Sequence, residues 1–216
     1  MENTLALLFG LTMLSMSATS RMKSYLKMLS IQGLLLFLIF YAFMEQFNAL
    51  NFCFLAFETL GVKMIIIPLF IWRIIKKGKI YRDTSPSIPK FYSLVAATII
   101  LFSGFVFSVF LKKMLINTNP LSFGVALSTI IISLFFITIR KKVITGVIGY
   151  IMMENGIFLL SLSVEKEMPI IVNMGILLDL FIAVFILGLL VKRISRTFED
   201  NDMDSLKVLK DSVDDN

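Results

Sequence analysis

Seven apolar segments, each about as long as a membrane-spanning helix, take up most of this 216-residue chain. A helix needs about 20 mainly apolar residues to cross the hydrocarbon core of a bilayer. The segments cover residues 3–20, 27–47, 49–75, 90–111, 121–139, 143–163 and 169–191. This pattern leaves little sequence for any other architecture. We therefore predict an all-α, polytopic membrane protein with about seven transmembrane helices, called spans 1 to 7.

The composition also favours lipid as the solvent and excludes several kinds of site. The chain is 57% hydrophobic and 17% charged, with a mean hydropathy of +0.88, whereas soluble domains carry about 25% charged residues. It has no histidine and a single cysteine, Cys53, so it lacks the usual ligands for zinc, haem or iron–sulfur clusters. No phosphate-binding glycine motif is present. We expect no catalytic centre, metal or cofactor in this chain.

Basic residues predict how the helices are oriented. They are frequent in alternate loops, within 21–27, 73–90, 140–142 and 192–196, and only Lys112 and Lys113 fall in an otherwise weakly charged loop. Because basic loops stay in the cytoplasm, we expect the N-terminus outside and the C-terminus inside. The net charge of +6 is then explained by orientation rather than by nucleic acid. Span 1 has no basic residues before it, so we expect a retained helix rather than a signal peptide.

A short linker predicts the organisation of the chain. The segment SPSIP, residues 85–89, divides three spans from four. We assign residues 1–78 to a first membrane part, 79–89 to a cytoplasmic linker and 90–194 to a second membrane part. Residues 195–216 form an acidic cytoplasmic tail, either solvated or a docking segment.

Four ionisable side chains lie inside the spans, where each costs about 2.5–3.5 kcal/mol. They are Glu58, Lys63, Glu154 and Asp179. At 1.5 Å per residue, Glu154 is about 17 Å, Asp179 about 15 Å and Lys63 about 21 Å from the start of its helix, and the hydrocarbon core is about 30 Å thick. We therefore predict that Glu154 and Asp179 meet near the midplane, able to exchange protons, with Lys63 at a similar depth. The alternative is that these groups only hold helices together.

The residues around the two carboxylates support a polar site. Tyr150 lies four residues before Glu154, on the same helix face, and Asn155 is expected to cap or crosslink helices. Small residues permit close helix approach or leave room for water, and they are Gly149, Gly156 and Gly175.

Span 3 carries the other two charges. Glu58 and Lys63 are five residues apart, about 140° around an α-helix, so we predict that they do not pair. We expect Glu58 to lie nearer the outer surface, where it either snorkels or meets water. Pro68 should kink the helix beside Lys63. Lys63 is either a member of a proton relay or a structural partner for another subunit.

Two stretches resemble component E of hydrogenase-4, from the membrane arm of group 4 NiFe hydrogenases, which include formate hydrogenlyase. These are GYIMMENGIFLLSL at 149–162 and NMGILLDLFIAVFILGLLVKRI at 173–194. VKMIIIPLF at 62–70 and the tail segment 202–211 are similar to two further family stretches. The family pattern of G-x-x-x-x-E-N-G followed by G-x-x-x-D corresponds here to Gly149, Glu154, Asn155, Gly156, Gly175 and Asp179.

The resemblance implies a proton-translocating subunit of a complex similar to respiratory complex I, in a prokaryotic cytoplasmic membrane. It implies antiporter-like membrane partners and a soluble hydrogenase arm. The nickel–iron centre and the iron–sulfur clusters are expected in partner subunits. The last three spans are similar to the K subunit of complex I, and Glu154 corresponds to one of its midmembrane glutamates. Asn173 stands where the family often has glutamate, and an amide cannot carry a proton in the same way.

Three functions remain open at the level of sequence. The chain is a coupling subunit that supplies Glu154, Asp179 and Lys63 to a charged axis, or an ion carrier. The carrier would be a subunit of an Mrp-type cation/proton antiporter or a stand-alone transporter. The third possibility is a scaffold of the membrane arm.

Overall fold

A computed structural model describes residues 2–43, 49–77, 88–111 and 119–164, which fall within one compact unit. Between α3 and α4 the chain continues without a break as a π-helix, Phe57–Ile66. Every element in this part of the chain is helical, as predicted. The α-helices are α1 (Glu2–Ala18), α2 (Met22–Phe43), α3 (Ala49–Ala56), α4 (Ile67–Lys77), α5 (Lys90–Leu111), α6 (Pro120–Ile139) and α7 (Val143–Val164).

Four of these helices, α2, α5, α6 and α7, are long and apolar enough to cross a membrane. The predicted count of seven spans is not supported by the structure. Helix α1 has only 17 residues, and span 3 is divided among α3, the π-helix and α4. Span 7 and the acidic tail lie outside the described residues. The orientation of the termini stays a prediction.

Contacts at the helix ends show how the chain runs. At one end, Asn119 Nδ2 donates to Glu2 Oε2 (3.1 Å) and the Asn119 N–H donates to the Ser163 carbonyl (3.2 Å). At the other end, Arg140 Nη2 donates to the Thr19 carbonyl (3.5 Å). Helices α1 and α6 therefore run in the same direction, and α7 runs against both.

Basic residues gather at the second of these ends, which we call the basic end. Lys23 Nζ lies 5.1 Å from the ring centre of Trp72, which places the end of α4 beside the start of α2. Arg21 and Lys90 line one cleft, which places the start of α5 there too. The described basic residues at or next to these helix ends are Arg21, Lys23, Arg73, Lys76, Lys90, Arg140, Lys141 and Lys142.

Glycines permit two close helix contacts in the part of the bundle that carries the buried charges. A Cβ on Gly33 of α2 would lie 2.8 Å from the backbone nitrogen of Met64, in the π-helix. A Cβ on Gly149 would lie 2.7 Å from Ile137 Cγ1, and one on Gly156 would lie 2.8 Å from Thr129 Cγ2. Of the two uses that the sequence left open for Gly149 and Gly156, the structure shows close approach of α7 to α6.

A π-helix lies directly before Pro68, where the sequence predicts a kink, and the kink itself stays a prediction. The N–H of Ile67 donates to the carbonyl of Val62, five residues earlier, which is the hydrogen-bond pattern of a π-helix. Proline has no N–H to donate, so Pro68 cannot form the next backbone hydrogen bond of a π-helix or of an α-helix. The chain then proceeds as α4. Residues five apart in this segment are close to one turn apart, and Glu58 and Lys63 have this spacing.

Gly33→Ala tests the contact between α2 and the π-helix. The added methyl group would meet the Met64 backbone at 2.8 Å, which cannot move as a flexible side chain can, and overpacking of this kind costs about 1–3 kcal/mol. We expect a lower midpoint of thermal unfolding in detergent micelles. The matched control is Gly146→Ala, whose Cβ meets nothing within 4 Å and which should not destabilise. Equal midpoints for the two variants would contradict the contact.

Candidate functional site

Three charged side chains meet inside the helical bundle. Lys63 Nζ lies 3.2 Å from Glu154 Oε1 and 3.7 Å from Glu58 Oε1. The side chains of Lys63, Glu58 and Glu154 are only 3%, 4% and 3% exposed. We call these three residues the charge cluster. It joins the π-helix to α7, so that two distant parts of the sequence supply one site.

The pairing of Glu58 with Lys63 corrects the sequence prediction. That prediction assumed an α-helix, in which residues five apart point in different directions. In the π-helix the turn is longer, because each hydrogen bond spans five residues, so both side chains lie on the same face. Glu58 is also buried, so it does not contact water as predicted, whereas its depth relative to the membrane surface stays a prediction.

Phe158 completes the surroundings of the lysine. Lys63 Nζ lies 4.6 Å from the centre of the Phe158 ring, within the range of a cation–π interaction. Phe158 is four residues after Glu154, on the same face of α7. The sequence analysis missed it, although this spacing was the available signal. The ammonium group is thus held by two carboxylates and one aromatic face.

The composition of the charge cluster gives it a chemical capacity. Two carboxylates share one ammonium group, and each unbalanced buried charge is costly in a medium of low polarity. The cluster is neutral when one of the carboxyl groups carries a proton. The charge count of the cluster therefore leaves room for one proton on its two carboxyl groups.

A second polar network lies next to the charge cluster. Asn155 Nδ2 donates to Gln32 Oε1 (3.1 Å), and Gln32 Nε2 donates to Thr12 Oγ1 (2.8 Å). These bonds link α7, α2 and α1, which confirms the prediction that Asn155 crosslinks helices. Gln32 was missed by the sequence analysis. Its position could have been recognised from the sequence, because an amide stands ten residues into an apolar helix, next to Gly33. A buried amide at such a position needs a hydrogen-bond partner to offset the free-energy cost of its desolvation.

Two buried side-chain oxygens of α7 have no hydrogen-bond partner among the described residues. They are Glu154 Oε2 and Asn155 Oδ1. A buried acceptor without a partner costs about 1–3 kcal/mol. Both belong to the E-N-G stretch on α7, one in each network. Each of these oxygens can accept a further hydrogen bond.

The remaining predicted site residues are only partly placed by the structure. Tyr150 is half-buried on α7, one turn before Glu154. Asp179, Gly175 and Asn173 lie outside the described residues, so the meeting of Glu154 with Asp179 stays a prediction. Within the described ranges, no three acidic or cysteine side chains lie close enough to hold a metal ion.

Comparison with known proteins gives two kinds of relative. The chain is 26% identical over 162 residues to an uncharacterized protein of Mycobacterium tuberculosis, covering 71% of this chain and 70% of that protein. It is 31% identical over 122 residues to hydrogenase-4 component E of Escherichia coli, covering 56% of each chain. Component E of Shigella flexneri is similar to the same extent. The match thus spans just over half the length of the hydrogenase components.

Comparison with protein-family models and with solved structures gives no further relative. No protein-family model matches the chain, and no solved structure matches it. The similarity to component E agrees with the resemblance read from the E-N-G stretch.

A double-mutant cycle tests the ion pair of the charge cluster. Lys63→Met leaves Glu58 and Glu154 buried without their cation, and breaking a buried pair costs about 3–5 kcal/mol. Glu154→Gln removes one charge and so reduces that cost. We expect the effects on unfolding free energy in detergent to be non-additive by more than about 1 kcal/mol.

The control cycle combines Lys63→Met with Glu2→Gln, which lies at the end of the bundle. These two effects should add within about 0.5 kcal/mol. Additivity in both cycles would show that Lys63 and Glu154 do not interact.

Gln32→Leu tests the amide network. It removes the acceptor of the Asn155 amide N–H and the donor to the Thr12 hydroxyl oxygen, and a buried group left unpaired costs about 1–3 kcal/mol. We expect a clear loss of thermal stability in detergent. The control is Thr98→Val, which removes an exposed hydroxyl that donates to Leu94 within its own helix. A loss no larger than that of the control would rule out the network.

Proposed function

We propose that this chain is a membrane subunit of a multisubunit hydrogenase complex related to hydrogenase-4, and that its charge cluster takes part in proton translocation. The observation that carries the proposal is the buried contact of Lys63 with Glu154 and Glu58. The similarity to hydrogenase-4 component E and the four apolar helices support the complex and the membrane location. Redox chemistry would take place in partner subunits, which would carry the nickel–iron and iron–sulfur centres.

The geometry supports a stepwise proton transfer. A proton arriving at Glu154 Oε2, which has no partner among the described residues, neutralises that carboxylate. The Lys63 ammonium then shifts toward Glu58, whose Oε1 is only 0.5 Å farther from Nζ than Glu154 Oε1. Loss of the proton reverses the shift. Lys63 thus pairs most closely with the carboxylate that remains charged when the other carboxyl group carries the proton.

The energy required is within reach of such a site. Moving one elementary charge against 100 mV costs about 2.3 kcal/mol. That is comparable to the free energy of a single buried, charge-assisted contact, about 1.5–3 kcal/mol. A small displacement of the Lys63 ammonium, driven by a change in the charge of a partner subunit, can therefore supply a useful fraction of the work.

The proposal also covers parts of the chain that the structure does not describe. Asp179 is proposed as the next proton site along the axis. Asn173 cannot carry a proton as a glutamate does, so we assign no proton step to that position. The helix bundle has seven spans with the C-terminus and the basic end in the cytoplasm of a prokaryote. Its last three spans correspond to the K subunit of complex I. Antiporter-like membrane subunits and a soluble hydrogenase arm are the partners.

A scaffold role is the second candidate, and the amide network favours it. Gln32 links Asn155 of α7 to Thr12 of α1, a task that needs no proton movement. In that case the polar residues would fix helix positions for neighbouring subunits. Loss of the charges would then reduce the amount of assembled complex, and whatever complex did assemble would remain coupled.

Glu154→Gln in the intact complex tests the proposal. The amide cannot exchange a proton, and a positioned acid or base contributes about 10²–10⁴-fold to proton transfer. We expect hydrogen oxidation with an artificial electron acceptor to continue at the rate of the unmodified complex. Proton uptake into inverted membrane vesicles should fall by at least about tenfold.

The matched control is Glu2→Gln, the same chemical change at the opposite end from the basic residues, where Glu2 bonds Asn119. It should leave proton uptake intact. Full coupling in Glu154→Gln would remove that residue from the proton path. A reduced amount of fully coupled complex would favour the scaffold, and cation flux by the purified chain alone in liposomes would favour an independent transporter.

A further inference from the structure

A small open cleft lies at the basic end of the bundle, far along the helices from the charge cluster. It has a volume of about 240 Å³ and is lined by Ala18, Thr19, Ser20, Arg21 and Lys90. Its walls are the end of α1, the turn into α2 and the first residue of α5. Two separate parts of the chain therefore bring two cations and two hydroxyls to one concave surface.

The lining groups of the cleft are mainly hydrogen-bond donors. Arg21 supplies a guanidinium fork and Lys90 an ammonium group. The Thr19 hydroxyl oxygen accepts the N–H of Arg21 (3.4 Å), so its own proton remains to be donated. The Ser20 hydroxyl adds a further donor. A set of this kind matches the oxygens of a phosphate group, which accept several hydrogen bonds at once.

The backbone acceptor nearest the cleft is already occupied. The Thr19 carbonyl accepts Tyr25 Oη–H (2.7 Å) and Arg140 Nη2–H (3.5 Å). Helix α1 ends and α2 begins here, so the opposite ends of their dipoles offset each other and side-chain charge decides the potential. Among the described residues, the acidic side chains are Glu2, Glu58 and Glu154. None of them is at this end, so the charges that the described residues bring to the cleft are all positive.

The surroundings place the cleft at a membrane surface. Phe91 and Tyr92 follow Lys90 and are 70% and 63% exposed. Aromatic side chains concentrate at the boundary between lipid and water, and basic clefts between spanning helices bind anionic lipid headgroups. The exposed rings would contact the glycerol and the first part of the acyl chains.

We infer that this cleft is a binding site for a phosphate group, held by Arg21 and Lys90 with the hydroxyls of Thr19 and Ser20. The source that the exposed rings favour is the headgroup of an anionic phospholipid, such as phosphatidylglycerol. A soluble phosphate ester offers the same chemistry without the acyl chains. This inference does not depend on the proton path, because none of the four residues belongs to the charge cluster.

Lipid retention by the full-length chain tests the site. The purified chain in mild detergent is incubated with phosphatidylglycerol, phosphatidylcholine or glycerol 3-phosphate, and the bound molecules are counted by native mass spectrometry. We expect phosphatidylglycerol to be retained in preference to phosphatidylcholine. Arg21→Gln and Lys90→Gln should each lower its apparent affinity about fivefold, which is equivalent to about 1 kcal/mol per basic residue.

The control is Lys27→Gln, which removes the same charge from an exposed position on α2 outside the cleft lining. It should reduce retention by less than twofold. Glycerol 3-phosphate retained as well as phosphatidylglycerol would support the site and assign it to a soluble ester. Equal retention of the two phospholipids with no retention of the ester, or equal losses in all three variants, would overturn the proposal. Arg21 and Lys90 are both exposed, so two independent variants are expected to fold.

Discussion

A single ammonium group buried between two carboxylates is the interaction on which the centre of this bundle depends. Lys63 reaches Glu154 on α7 and Glu58 on its own helix, and neither acid could be buried cheaply without it. The rest of the local structure serves this contact. The π-helix turns Glu58 and Lys63 to one side, and Gly33 lets α2 lie against the same segment. Close packing of Gly149 and Gly156 on α6 fixes the helix that carries Glu154.

Burying the charge cluster costs free energy, and this cost indicates that the cluster has a function beyond stability. A buried ion pair is often no more stabilising than well-packed apolar side chains of the same volume, so stability alone does not require it. The cluster also contains one more acid than base, which gives it room for an exchangeable proton. π-Helical turns are rare, and those that occur are often found at functional sites. Here the π-helix holds two of the three charges. The amide network of Gln32 and Asn155 lies beside the charge cluster and links α7 to α2 and α1.

Much of this arrangement follows from the sequence, because hydropathy and depth along a helix are local properties. The helices at Val143–Val164 and Pro120–Ile139 coincide with their predicted spans, and Glu154 was identified from its position in an apolar run. The pairing of Glu58 with Lys63 was missed, because it depends on helix type, and α-helical spacing was assumed. Gln32 and Phe158 were missed for another reason. Their partners lie 123 residues and 95 residues away along the chain, and periodicity within one helix carries no information about contacts between helices.

The most direct test of the central claim is the protonation state of Glu154 during turnover. Infrared difference spectra of the assembled complex, recorded as hydrogen is supplied and withdrawn, distinguish a protonated carboxyl group from a carboxylate. The account predicts a glutamate signal that appears with the redox change, is absent in Glu154→Gln and is altered in Lys63→Met. An identical difference spectrum with and without the Glu154 carboxyl group would contradict it, because the charge cluster would then take no part in moving protons.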